Sequence, residues 1–203
     1  MQEILPGIWH WTQRHPRIGI DVSSYYFEPE QVLIDPLIPD EGLAWFVSRP
    51  PLNIYLSIRH HYRHCAEFAA RFDCRVWCVE QGLHEFTDAQ QVQSFCFGDT
   101  LPGSVKSIEV DSLCSDEGAL FLGREGGCVV LGDGCVRRGD GPLLFVSDRM
   151  MGEDPAGVKA GLTTAYQRLV DDYEFDHLLF SHGLPLIGGG RQALAEFIAQ
   201  QGQ

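Results

Sequence analysis

The densest group of ionisable side chains in the sequence is one short stretch, Arg59-His60-His61-Tyr62-Arg63-His64. Neutral imidazole is the commonest metal ligand in proteins, and a metal site needs several such ligands close together. The apolar run at residues 52–56 predicts a strand before this stretch, and residues 66–72 predict a helix after it. Side chains at a strand-to-helix turn are held by rigid elements but stay open to a ligand. The stretch is therefore the first candidate for a functional site.

This stretch resembles the His-x-His-x-Asp-His motif of the metallo-β-lactamase superfamily, which lies where a strand leads into a helix. In this alignment His61 and His64 match ligand histidines, whereas Arg59 replaces the first histidine and Arg63 replaces the aspartate. Further segments resemble the superfamily's other motifs in the right order. They are the opening strand at residues 5–9, the Leu-Ile-Asp strand end at 32–36, the turn at 97–101, the Gly-Asp segment ending at Asp133, and the Ser-His-Gly segment containing His182.

The resemblance implies a ligand set. In the superfamily one metal is held by three histidines, and a second by an aspartate and two histidines, with a later aspartate shared. Here the first position keeps only His61, because Arg59 and Ser115 stand in place of the other two histidines. One imidazole does not hold zinc. The second position keeps two histidines and the shared carboxylate, so the resemblance implies at most one zinc or iron ion, on His64, Asp133 and His182.

Arg63 argues against any metal, because a guanidinium has no lone pair to donate and repels a nearby cation. The alternative is a metal-free cleft in which Arg59 and Arg63 pair with Asp133 and take over the charge of the metals. On the sequence alone, the metal-free cleft is the favoured alternative.

Two functions follow from these alternatives. With one metal, the resemblance implies hydrolysis of a small ester, thioester or amide by the metal on Asp133, with Arg59 or Arg63 binding the substrate's anionic group or the developing oxyanion. Without a metal, Arg59, Arg63 and His61 would form a cationic pocket that binds a small anionic metabolite and catalyses nothing. The expected partner is a small molecule in both cases.

Composition limits the remaining possibilities. A chain of 203 residues is expected to form a single domain over its whole length, residues 1–203. The formal net charge of −13 argues against nucleic acid and against an anionic membrane surface as partners. The start lacks a basic segment followed by an apolar one, which leads us to expect a cytoplasmic protein. The seven cysteines are odd in number and include no Cys-x-x-Cys pair, so they are expected to be reduced core residues.

The hydrophobic pattern predicts an α+β fold. Alternating residues predict antiparallel strands at 4–11, 18–27 and 31–36, and a short helix is expected from Asp40 to Arg49. Later turns separate more strands, and Asp154-Pro155 predicts the start of a helix that ends near residue 172. The last predicted elements are a strand at 176–181 and a helix at 192–200. The two halves have similar element orders, which favours an αββα sandwich with two mixed sheets face to face and helices outside.

Overall fold

Two mixed β-sheets form the centre of the computed structural model, which describes residues 1–201. The first sheet contains seven strands in chain order, antiparallel from β1 to β4 and parallel from β4 to β7. Its strands are β1 (Gln2–Leu5), β2 (Ile8–Arg14), β3 (Asp21–Phe27), β4 (Val32–Ile34), β5 (Asn53–Tyr55), β6 (Arg75–Val79) and β7 (Gln93–Phe95).

The second sheet has the strand order β15-β14-β11-β10-β9-β8, in which only β11 and β14 are parallel. Its strands are β8 (Thr100–Leu101), β9 (Val105–Glu109), β10 (Gly118–Leu122), β11 (Cys128–Leu131), β14 (His177–Phe180) and β15 (Leu186–Ile187). A separate antiparallel ribbon joins β12 (Cys135–Arg137) to β13 (Leu143–Phe145).

Three α-helices cover the sheets: α1 (Cys65–Phe72), α2 (Pro155–Asp172) and α3 (Gly190–Gln201). Helix α2 begins as its sequence predicts, because the Asp154 carboxylate accepts a hydrogen bond from the Gly157 N–H at 2.9 Å and Pro155 occupies the first helical position. Among the described residues, no helix combines the length and the apolar character that crossing a bilayer requires.

The buried residues form a core in three layers. Strand β4 illustrates the arrangement, since Val32 and Ile34 face the space between the sheets while Leu33 faces the layer under α1. In β11, Val130 faces the inter-sheet space, and Val129 and Leu131 face α2 and α3. Each sheet is thus covered on its outer face by helices, and the predicted αββα sandwich is confirmed.

Some predicted elements differ from the observed ones. The strand predicted at residues 4–11 is a hairpin, because Gly7 has a φ of 73° and turns the chain between β1 and β2. The helix predicted from Asp40 to Arg49 is only a 3-10 turn, Leu43–Phe46. Gly42 and the Pro50-Pro51 pair leave too few residues between them to offset the cost of starting an α-helix.

Candidate metal centre

The candidate site lies where the parallel strands of both sheets end. Asp35 follows β4, and His61 follows β5 in a 3-10 turn. Asp133 follows β11 and His182 follows β14, which is the parallel pair of the second sheet. Carboxyl ends of parallel strands open into a crevice in which polar side chains from several strands meet. The fold therefore brings together residues that lie far apart in the sequence.

His61, Asp133 and His182 form a compact cluster, with one candidate ligand atom from each residue lying within 4.8 Å of the others. The Oδ1 atom of Asp133 lies 3.2 Å from Nε2 of His61 and 3.1 Å from Nε2 of His182. Neither contact has the alignment of a hydrogen bond, and Oδ1 has no other hydrogen-bond partner among the described residues. Ligand atoms about 2.0–2.1 Å from a shared ion lie roughly 3.0–3.4 Å apart. The cluster therefore fits a divalent metal.

The cluster is partly exposed to solvent. The side chains of His182 and Asp133 are 19% and 20% exposed, whereas that of His61 is 7% exposed. A catalytic metal site needs an accessible position for water or substrate, while a structural site is closed by protein ligands. The partial exposure of the cluster is therefore the exposure expected of a catalytic centre.

The buried carboxylate of Asp35 orients His61. Its Oδ2 atom lies 2.9 Å from Nδ1 of His61 and accepts hydrogen bonds from the hydroxyls of Ser57 at 2.5 Å and Ser181 at 2.9 Å. Its Oδ1 atom accepts the Ser57 N–H at 2.9 Å. A carboxylate can only accept, so the proton of the neutral His61 ring lies on Nδ1 and the lone pair lies on Nε2, facing Asp133.

The two carboxylates also control the protonation of His61. Burial by itself would lower the pKa of His61, but the negative charges of Asp35 and Asp133 outweigh burial and raise this pKa to about 9. Burial likewise works to raise the pKa of Asp133, whereas the positive charge of His61 and the approach of His182 hold this pKa well below its usual range. Without a metal, a proton on His61 therefore partly neutralises the cluster.

His64, a member of the predicted ligand set, does not belong to the cluster. Its Nδ1 atom accepts a hydrogen bond from the Ile38 N–H at 2.9 Å. The proton of the neutral His64 ring is therefore on Nε2, which leaves no lone pair there for a metal. His61 takes its place, so the observed group combines one histidine from each of the two superfamily positions with the shared aspartate.

Arg59 is also placed differently from the prediction. The expected pairing with Asp133 is absent, since the Arg59 guanidinium forms an ion pair with the buried carboxylate of Asp116. The Arg59 backbone N–H donates to the same carboxylate at 2.8 Å. Held at two points, Arg59 is part of the wall of the site.

Arg63 is half-buried and adopts a φ of 42°. Its Nη1 atom donates to the carbonyl oxygens of Ser23 at 2.7 Å and Asp35 at 2.5 Å, and no hydrogen bond to Asp133 is present. Its Nε and Nη2 atoms are buried and have no hydrogen-bond partner among the described residues. Burial works to raise the pKa of Asp35, but the charge of His61 and, to a smaller extent, that of Arg63 hold this pKa below its usual value. Arg63 thus contributes a fixed charge to the site.

Sequence reasoning assigned no role to Asp35, Ser57 or Ser181, although all three are buried and hold site residues. Asp35 and Ser181 each end a buried strand with a polar residue, and that signal was available in the sequence. The two chain neighbours of His61 do not take part in the cluster, since His60 is exposed and Tyr62 packs against Phe86.

The two stacked sheets and the His-Asp-His cluster at their edge define a protein with the metallo-β-lactamase fold. The chain is similar to an archaeal metallo-β-lactamase superfamily protein from Sulfolobus tokodaii, with a TM-score of 0.67, 12% identity, and coverage of 96% of this chain and 85% of the other. It is also similar to a metallo-β-lactamase family protein from Thermus thermophilus, with a TM-score of 0.64, 15% identity, and coverage of 98% and 81%.

A B3 metallo-β-lactamase with an active-site glutamic acid has a TM-score of 0.62 and 15% identity, with coverage of 89% of this chain and 82% of the other. No protein-family profile matches the sequence, and no curated protein matches it. At this level of identity the similarities establish the fold alone. The resemblance predicted from the sequence motifs is confirmed at that level.

Proposed function

We propose that this protein is a hydrolase that uses one divalent metal ion, held by His61, Asp133 and His182, to cleave a small ester, thioester or amide. The observation that carries the proposal is the convergence of three ligand atoms without hydrogen bonds between them, in a cluster whose His182 and Asp133 side chains are partly exposed. A zinc or iron ion bound there supplies a Lewis acid and lowers the pKa of a water molecule.

The residues of the chain have separate tasks in this proposal. Asp35 keeps the proton of His61 on Nδ1, so that Nε2 faces the cluster with its lone pair. Asp133 remains ionised because its pKa lies well below the usual range, despite the opposing effect of burial. The Ser181 hydroxyl donates a hydrogen bond to Asp35, and Ser181 directly precedes His182. One buried carboxylate therefore orients both histidines.

Several features support a single metal rather than two. Arg59 forms an ion pair with Asp116, and Arg63 stands as a fixed cation at the position where the superfamily has an aspartate. His64 presents an N–H on Nε2, which is not a ligand atom. A second ion would therefore lack ligands and would be repelled by the guanidinium of Arg63.

The alternative, a metal-free pocket for an anionic metabolite, has weaker support. It requires Arg59, Arg63 and His61 to offer free donors to a ligand. Arg59 is engaged by Asp116, the unpaired atoms of Arg63 are buried, and His61 lies between two carboxylates. The arrangement therefore favours the metal-dependent hydrolase.

Metal analysis of protein purified without chelator tests the proposal. We expect about one equivalent of zinc or iron in the wild type and none in the double variant His61→Ala/His182→Ala. The variant His60→Ala is the matched control, because His60 is exposed and lies outside the cluster. The same proteins are then assayed with ester, thioester and amide substrates. A wild type without metal, or a double variant that keeps both metal and activity, contradicts the proposal.

A further inference from the structure

Ser23 is a buried residue of β3 that lies where the first sheet leaves its backbone free on one side. Strand β4 pairs with β3 from Tyr25 onward, and a buried N–H and C=O outside this pairing need other partners. The Ser23 N–H donates to the Ser181 carbonyl at 2.9 Å, and the Ser23 carbonyl accepts from Nη1 of Arg63 at 2.7 Å. Arg63 lies two positions after His61. The free strand edge therefore contacts the segments of both histidine ligands.

The hydroxyl of Ser23 makes a further contact in a fixed direction. It donates to the Gly183 carbonyl at 2.9 Å, and Nε2 of His10 lies 3.0 Å from the same oxygen atom. A hydroxyl has one proton and a carbonyl can only accept, so His10 must donate to Ser23 from Nε2. Burial, and to a smaller extent the positive charge of the N-terminus, lowers the pKa of His10 to about 4. At neutral pH the His10 ring is therefore uncharged and carries its proton on Nε2.

Ser23 thus binds the carbonyls on both sides of His182, that of Ser181 through its N–H and that of Gly183 through its hydroxyl. We propose that Ser23 is a positioning residue that fixes His182 relative to His61 in the metal centre. This inference rests on the proposed metal-dependent hydrolase and deepens it, because it names the contact through which the first sheet positions the ligand of the second sheet.

The hydroxyl of Ser23 acts on the metal centre through the backbone of the His182 segment. Three successive carbonyls are bound there, the outer two by Ser23 and that of His182 by the Arg137 N–H at 2.9 Å. Removal of the hydroxyl frees the Gly183 carbonyl and leaves the backbone contacts in place. Residues of a metal site must be held within about 0.5 Å of their working positions. A small shift of this segment should therefore weaken metal binding without separating the sheets.

Two variants of Ser23 test the role of the hydroxyl. Ser23→Ala removes it, whereas Ser23→Thr keeps it. We expect zinc to bind Ser23→Ala about tenfold more weakly than wild type, and Ser23→Thr within about threefold of wild type, as measured by competition with a chromophoric chelator. At saturating cobalt, the visible absorption bands of the bound ion report the arrangement of its ligands. These bands should change in Ser23→Ala and match the wild type in Ser23→Thr.

Ser107→Ala is the matched control, because Ser107 is also buried and its hydroxyl donates to the Cys96 carbonyl at 2.8 Å, in contact with neither histidine segment. Urea unfolding should show comparable losses of stability in the two alanine variants, while zinc affinity and the cobalt bands should change only in Ser23→Ala. A merely structural role would change both variants alike.

The outcomes separate this inference from the hydrolase proposal. If wild type and Ser23→Ala have equal zinc affinity and identical cobalt bands, the inference is overturned and the hydrolase proposal stands. The same holds if Ser107→Ala or Ser23→Thr loses as much zinc affinity as Ser23→Ala. Wild type that binds neither zinc nor cobalt overturns the hydrolase proposal and this inference with it, a result that requires no variant.

Discussion

Asp35 is the residue on which the geometry of the cluster depends most directly. It is buried, and Ser57, Ser181 and His61 all direct polar groups to its carboxylate. Ser57 and His61 follow a strand of the first sheet, and Ser181 follows a strand of the second. A single carboxylate thereby sets the tautomer of one proposed ligand and anchors the residue next to the other.

Replacement of this carboxylate by an amide should weaken metal binding. In Asp35→Asn the amide can turn its NH₂ group toward His61, which removes the reason for the proton to stay on Nδ1. We expect zinc affinity to fall by about 10–100-fold, the usual effect of removing a partner of a ligand histidine. Competition with a chromophoric chelator measures this. Asp21→Asn, at an exposed position, is the control, and equal affinities for the two variants would contradict the prediction.

Glu117 predicts a pH dependence of stability. Its Oε1 atom accepts the Gly134 N–H at 2.5 Å, and its Oε2 atom is buried without a hydrogen-bond partner among residues 1–201. Burial, reinforced by the charge of Asp133, outweighs this hydrogen bond and raises the pKa of Glu117 from an ordinary value of 4.5 to about 7. Between these values the folded state keeps a proton that the unfolded state has lost, so stability falls as the pH rises. The loss levels off above pH 7 at about 3 kcal/mol.

The variant Glu117→Gln cannot ionise and should not show this loss. We expect its free energy of unfolding, relative to wild type, to rise by up to about 3 kcal/mol between pH 5 and pH 8. Urea unfolding at several pH values provides the measurement. Glu85→Gln, at an exposed glutamate, should follow the wild type. Parallel pH profiles for wild type and Glu117→Gln would show that Glu117 titrates normally.

Most of the individual residues of the site could be predicted from the residue types in the sequence. His61, Asp133 and His182 were candidates because each follows a strand within a motif of the same superfamily. The exclusion of His64 could not be predicted, since it depends on the backbone N–H of Ile38, which lies in a loop whose path no local pattern determines. The pairing of Arg59 with Asp116 likewise depends on contacts between distant segments.

The segment that carries His182 is held by the short ribbon β12–β13. The Arg137 N–H donates to the His182 carbonyl at 2.9 Å. The Arg137 guanidinium donates to four further carbonyls, those of Asp140, Gly141, Leu184 and Pro185. Gly183 adopts a φ of 114°, and a Cβ there would lie 2.4 Å from the Arg137 carbonyl oxygen. Close packing of two backbones thus fixes the position of His182.

Gly183→Ala should separate these two segments. We expect it to lower the free energy of unfolding by at least about 3 kcal/mol and to weaken zinc binding, because the added methyl group meets backbone that cannot rotate away. Gly188→Ala is the matched control: it also has a positive φ, 84°, but nothing lies within 4 Å of the added Cβ. It should cost only about 1–2 kcal/mol. Chemical denaturation measures the free energy of unfolding, and chelator competition measures zinc affinity. Equal values for the two variants would contradict the predicted clash at Gly183.

The elements of the sheets could be predicted better than the segments around the site. Alternation and turn residues identified β6 and α2 to within a residue or two, because their burial follows a regular period. The ribbon strand β12 was not predicted, since three residues followed by Arg138 carry no periodic signal. It forms because Cys135 is buried against the second sheet and because Arg137 binds the loop beyond β14.

At the scale of the whole molecule, the proposed ligands come from both sheets. His61 follows the first sheet, and Asp133 and His182 follow the second. The Tyr25 hydroxyl of β3 links the sheets nearby, donating to the Phe180 carbonyl and accepting from the Phe180 N–H, both at 2.9 Å. The order of the layers was predictable from the sequence, because the two halves have similar element orders. The packing between them was not, since no local pattern encodes contacts such as that of Tyr25 with Phe180.

A metal bound between the sheets should stabilise the folded protein as a whole. A ligand at 100 times its dissociation constant contributes about 2.7 kcal/mol, which corresponds to roughly 5–10 °C in Tm for a chain of this size. Thermal unfolding with and without zinc should show this increase for wild type and His60→Ala. It should be absent in His61→Ala/His182→Ala. An increase in the double variant would place the stabilising ion elsewhere.

The guanidinium of Arg63 has a consequence for the protein when it is stripped of metal. In a site with two metals, a chelator or acid can remove both cations. The guanidinium of Arg63 is part of the chain and stays in place. After treatment with chelator, the carboxylates of Asp35 and Asp133 would therefore still lie near the positive charge of Arg63. This charge would offset the repulsion between the two carboxylates, so the crevice would not widen. The emptied pocket would keep its shape, ready to take up an ion again without first having to refold.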